Sequence, residues 1–135
     1  MRFIVVSLLC AGVLAAAASA AVSYERVVFK SSSVTGSAVI DPAASGTRVT
    51  FDLRGLKPHA AVRAVMQAGN CKRHGASFAS VGSARAGANG KAKWSARVKI
   101  AGDSVPWSTI NDHGHVLSLI VNGRAVACAP VPGMS

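Results

Sequence analysis

From Thr47 to Leu53 the chain alternates strictly, with Val49, Phe51 and Leu53 on one side and Arg48, Thr50 and Asp52 on the other. A period of two is the spacing of a β-strand with one face in a core and one in solvent. The same rule runs through Lys91–Ile100. Ala92, Trp94, Ala96, Val98 and Ile100 face inward there, and Lys91, Lys93, Arg97 and Lys99 face outward. Further β-rich runs lie at Tyr24–Lys30, Val34–Ile40, Ala61–Gln67, Phe78–Val81, His115–Val121 and Ala125–Ala129. Glycines, together with Asp41-Pro42 and Gly55-Leu56-Lys57-Pro58, supply turns between them. Asn89-Gly90 and Asn122-Gly123 carry the strongest hairpin signals. Ala101–Gly114 reads as a loop carrying Trp107 and His113. About eight short strands with regular turns predict an all-β chain, an antiparallel β-sandwich or flattened barrel.

Residues 1–20 read as a cleavable signal peptide. Arg2 supplies the positive start, an apolar stretch runs from Phe3 through Val13, and small residues stand at Ala18 and Ala20. The alternative, an uncleaved anchor, has barely enough apolar length and is mostly alanine where it ends. Cleavage leaves residues 21–135 as a single β-sandwich domain, periplasmic or secreted, with no integral membrane span. Cys10 goes with the leader, so Cys71 and Cys128 remain. Two cysteines in an oxidising compartment usually pair. Closing so long a loop contributes about 4 kcal/mol. The alternative is two free buried thiols.

Charge narrows the partners. Without Arg2, 14 Lys and Arg stand against five acids (Glu25, Asp41, Asp52, Asp103 and Asp112). An excess of this size favours a polyanion or acidic surface: lipopolysaccharide, an acidic glycan or anionic lipid headgroups outside the cytoplasm. The competing reading is a basic surface that serves solubility alone. The outward row Lys91, Lys93, Arg97 and Lys99, supplemented by Arg48, Lys72 and Arg73, is the candidate anionic-partner face.

Catalytic signals are scarce. The sequence has no Gly-x-Ser-x-Gly elbow and no phosphate-cradling glycine loop. Asp103-Ser104 and Asp112-His113 supply residue types found in triads without any spacing that supports one. His113-Gly114-His115 would put two imidazoles on one face of a strand, and His74 lies in a separate loop. These three are candidate copper or zinc ligands. Solvated loop histidines are the competing reading, and His59 stands apart after Pro58.

Four separated segments share an order and spacing with one family. They are Gly55-Leu56-Lys57-Pro58, Ala68-Gly69-Asn70-Cys71, Ala88-Asn89-Gly90-Lys91-Ala92 and Val126-Ala127-Cys128. Together, from Val34 to Val131, they resemble the copper/zinc superoxide dismutase family and its small secreted relatives. The resemblance implies an eight-stranded antiparallel Greek-key sandwich. It also implies a disulfide from the loop after the fourth strand to the last strand, at Cys71 and Cys128, and assembly as a homodimer.

The chain departs from that family where copper would bind. The copper strand's His-Val-His-Glu-Phe-Gly pattern is here Ala64-Val65-Met66-Gln67-Ala68-Gly69, and the zinc loop has shrunk to a few residues with only His74. The run before the last copper histidine is Leu117-Ser118-Leu119-Ile120 without the ligand. The guiding arginine's place is Ala125, with Arg124 one residue off. Copper dismutation needs a redox metal held by several imidazoles. The expectation is therefore a non-catalytic, dismutase-like binding or structural module with no cofactor. The alternative is a degenerate dismutase or a periplasmic copper or zinc protein using His74, His113 and His115; Met66 is a separate candidate, as a soft ligand to cuprous copper beside His74.

Overall fold

The computed structural model describes residues 25–42, 45–110 and 114–131. The leader with Cys10, and His113, lie outside the described residues. Within them the strands are β1 (Glu25–Lys30), β2 (Thr35–Asp41), β3 (Arg48–Arg54), β4 (Ala61–Gly69), β5 (His74–Arg85), β6 (Ala92–Arg97), β7 (Lys99–Ile100), β8 (Asp103–Ser104), β9 (His115–Val121) and β10 (Arg124–Val131). One short helix, α1 (Trp107–Ile110), precedes β9. Sheet A runs β1-β2-β3-β6 and sheet B runs β10-β9-β4-β5-β7-β8, all pairs antiparallel. The chain is thus all-β with two antiparallel sheets in a sandwich-like arrangement. β7 and β8 are two-residue pieces, and the other eight strands correspond to the eight expected.

The alternation explains the core. Val27 and Phe29 of β1, Ala38 and Ile40 of β2 and Val49, Phe51 and Leu53 of β3 join one buried cluster with Val62, Ala64 and Met66 of β4, Val81 of β5 and Leu117 and Leu119 of β9. Each large apolar side chain so buried contributes roughly 1.5–3 kcal/mol. Trp107 and Ile110 of α1 enter the same cluster, so part of the expected loop is a helical plug. Trp94 ties the sheets together. Its ring stacks on Phe51 at 4.2 Å and 14° within sheet A, and its Nε1–H donates to the Val81 carbonyl in sheet B at 3.1 Å. Gly82 makes room for the indole. It sits at φ 76°, where a Cβ would lie 2.5 Å from the Ala96 Cβ and 3.2 Å from the Trp94 Nε1.

Three expectations are corrected. The Lys91–Ile100 run is not one strand. At Val98 the chain leaves sheet A, its N–H bonding the Thr47 carbonyl, and it resumes as β7 in sheet B. The apolar side keeps facing the interior through this corner, so the alternation carries no mark of the switch. Asn89-Gly90 joins β5 to β6, which belong to different sheets, so it turns a corner and does not close a hairpin. Asn122-Gly123 does close the β9–β10 hairpin, at φ 51° and 77°, as a primed turn requires. β5 is also far longer than Phe78–Val81, because its polar ends hide it from a hydrophobic scan.

Phe51→Ala should therefore lower the unfolding free energy in urea by about 3–5 kcal/mol. Trp94→Phe, which keeps a ring but loses the bond to Val81, should cost about 1 kcal/mol. Equal losses for the two variants would contradict the role given to the stack.

Candidate anion-binding face

Register sets the outer face of sheet A row by row. Asp41, Arg48 and Arg97 stand side by side, then Arg26, Val39, Thr50 and Ser95, then Val28, Ser37, Asp52 and Lys93, then Lys30, Thr35 and Arg54. Their strand neighbours alternate into the core, so these side chains point to solvent. Six cations, Arg26, Lys30, Arg48, Arg54, Lys93 and Arg97, share the face with two acids. Asp52 pairs with Lys93 at 3.7 Å with both side chains well exposed, a contact worth little in water. Between the charges stand hydroxyls, including Thr50 and Ser95, whose oxygens are 3.2 Å apart. Val28, 51% exposed, is the one exposed large hydrophobic among the described residues.

The expected basic row maps onto this face only in part. Lys93 and Arg97 lie on β6 within it, and Lys91 is exposed just before β6. Lys99 belongs to sheet B, opposite Ser80 of β5 and Ser104 of β8. Arg97 and Lys99 meet only at the seam, around a hollow of about 370 Å³ shared with Ser80 and Gly82. Arg26, Lys30 and Arg54 went unread as site residues because they lie on three strands whose pairing no single-strand pattern reveals. Arg48 was expected as a supplement and is central to the face. Lys72 and Arg73 are exposed in the β4–β5 loop, away from sheet A.

Sheet B carries the disulfide. Cys71, between β4 and β5, bonds Cys128 in β10 with their Cα atoms 5.8 Å apart. Ladder partners Cys128, Ser118 and Val65 stand side by side, so the bridge attaches the β4–β5 loop on their side of the sheet. Val65 and Val116 are buried although they lie outside the core cluster. Ser118 is buried with them and donates to Gln67 Oε1 at 2.7 Å. The same loop is shaped by Asn70, whose Oδ1 accepts from the backbone N–H groups of Lys72 and Arg73 at 3.0 and 2.8 Å.

Ala64 and Met66, which the resemblance sets at the copper-histidine positions, are buried and belong to the core cluster, Met66 at 0% exposure. By backbone register His74 stands opposite Gly69 and His115 opposite Ala68, so β5 and β9 bring these two positions to one end of sheet B. The His115 ring also contacts Phe78 at 4.7 Å. His59 is exposed in the turn before β4, at φ 63°, and its carbonyl accepts from Arg85. Among the described residues no group of three or more His, Cys, Asp or Glu is placed to hold a metal ion, and no helix is long and apolar enough to cross a membrane.

No family model, curated protein or solved structure matches the chain.

Removing the bridge by Cys71→Ser with Cys128→Ser should destabilise the native protein by about 4 kcal/mol in denaturant titrations. Thiol titration of the unreduced, denatured protein should find neither cysteine free. Two reactive thiols from these positions would contradict the pairing.

Proposed function

We propose that this is an exported, disulfide-bonded, non-catalytic domain of the copper/zinc superoxide dismutase-like type that binds an anionic partner through the outer face of sheet A. The observation that carries the reading is the charge of that face, six cations against two acids across four strands. Opposite charge concentrated on one surface raises local ligand concentration and on-rate, and it makes affinity fall with salt.

The dismutase-like part of the reading is supported by the disulfide and the strand order. The bridge runs from the loop after the fourth strand to the last strand, where the resemblance expects it. The chain leaves β5 for β6 of sheet A, re-enters sheet B as β7 and β8 beyond β5, and then crosses to β9 on the other side of β4, a long connection of the Greek-key kind. The non-catalytic part rests on the residues themselves, since apolar Ala64 and Met66 occupy the copper-strand positions and contribute to the core. Export rests on the leader pattern, and a disulfide suits the oxidising compartment it leads to.

On a heparin column, Lys93→Ser/Arg97→Ser should elute at clearly lower salt than the parent protein, and Lys99→Ser, in the other sheet, should shift less. Unchanged elution of both the Lys93→Ser/Arg97→Ser variant and Lys30→Ser/Arg54→Ser would sink the anionic-face reading. Metal analysis of protein purified from its native compartment should find well under one equivalent of copper or zinc. A full equivalent would instead favour a metal site at the His74 and His115 end of sheet B.

A further inference from the structure

The cations of sheet A are not spread evenly. The outward positions of β2 are Thr35, Ser37 and Val39, ending at Asp41, so this strand carries no cation. On one side β1 presents Arg26 and Lys30; on the other β3 presents Arg48 and Arg54. Lys30, Thr35 and Arg54 are neighbours in one row, which puts two cations about 10 Å apart by backbone, with a hydroxyl between them. Along β1 the two cations are about 13 Å apart. The face therefore has a lane without cations along β2, roughly 20 Å long, floored by Thr35, Ser37 and Val39. Its flanks are Arg26, Val28 and Lys30 of β1 and Arg48, Thr50, Asp52 and Arg54 of β3, with the Asp52 carboxylate paired to Lys93 on β6. Asp41 closes one end of the lane beside Arg48.

We infer that the anionic partner is a linear acidic polysaccharide lying along β2, its carboxylate or sulfate groups reaching sideways to Arg26 and Lys30 on one flank and Arg48 and Arg54 on the other. This rests on the anionic-face reading and names its ligand. A bilayer surface fits less well, because interfacial binding buries apolar side chains and Val28 is the only exposed large one among the described residues. Single-stranded nucleic acid would call for stacking platforms, and the aromatic rings of this sheet, Phe29, Phe51 and Trp94, sit on the core side. A sugar chain needs hydroxyl partners between its charges. Thr35, Ser37, Thr50 and Ser95 provide them, while the guanidinium groups offer forked donors that match carboxylate and sulfate oxygens.

The test is titration calorimetry of the mature protein with a size-defined heparin oligosaccharide, alongside sedimentation with phosphatidylglycerol vesicles. Lys30→Ser/Arg54→Ser should weaken oligosaccharide binding by roughly five-fold per cation removed. Thr35→Glu, which sets a carboxylate in the lane between those two cations, should weaken it at least as much. Lys57→Ser, exposed but off the face, should bind as the parent does, and denaturation midpoints would show that the variants remain folded. The lane is overturned, with the anionic face intact, if only Lys93→Ser/Arg97→Ser loses binding while the β1–β3 variants keep it. The polysaccharide assignment is overturned if vesicles bind and the oligosaccharide does not. If neither probe binds the parent protein, the anionic-face reading itself falls.

Discussion

The two sheets share one apolar core, and the indole of Trp94 adds a polar bond between them. Its ring lies flat on Phe51, so it belongs to the apolar face of sheet A, yet its one polar atom is satisfied by the Val81 carbonyl of sheet B. A stacked aromatic pair contributes beyond its buried area, and a Trp N–H inside a protein usually finds a partner. Both conditions are met only if β5 passes close to β6, which Gly82 permits by presenting no side chain to the indole or to Ala96. Next to this junction the chain itself changes sheet. Thr47 anchors the crossing: its carbonyl accepts from Val98, and its backbone N–H and hydroxyl both donate to the Val105 carbonyl. Thr47 is fully buried, and these bonds answer the cost of burying its polar groups.

The two outer faces differ in what covers them. Sheet B carries the disulfide-tethered loop on the side where Val65, Val116 and Ser118 are buried. Sheet A presents charged and hydroxyl side chains on its outer face, with Val28 and Val39 among them. Uncovered sheet surfaces are ordinarily polar, but a face serving solubility alone would mix the two signs of charge. Here the acids are Asp41 at one end and Asp52 in a solvent-screened pair, while cations occupy both flanks of β2. The whole chain has the same excess of cations, so what sets this face apart is the placing of cations on both flanks of a strand that has none.

Much of this was legible in the chain because period-two patterning is a local signal. The β3 alternation placed Val49, Phe51 and Leu53 in the core, and Asn122-Gly123 announced a hairpin that the φ angles require. The site was only half legible. Lys93 and Arg97 share a strand, so alternation alone puts them on one face, whereas Arg26, Lys30 and Arg54 join them through strand pairing, a long-range property that no window of sequence contains. Lys99 was grouped with its strand neighbours because the inward pattern continues unbroken through the corner at Val98. Met66 looked like a soft ligand in a metal-binding register, but inward register makes it core. In each case the missing information was which strand lies beside which.

Whether one face of one sheet takes the anion is read by residue-resolved NMR during titration with the heparin oligosaccharide. Saturating shifts are expected at Arg26, Lys30, Thr35, Arg48 and Arg54, with β4 and β9 of sheet B unmoved. Shifts centred on Arg63 and Lys99 of sheet B, with the β1–β3 residues silent, would contradict an anionic face on sheet A.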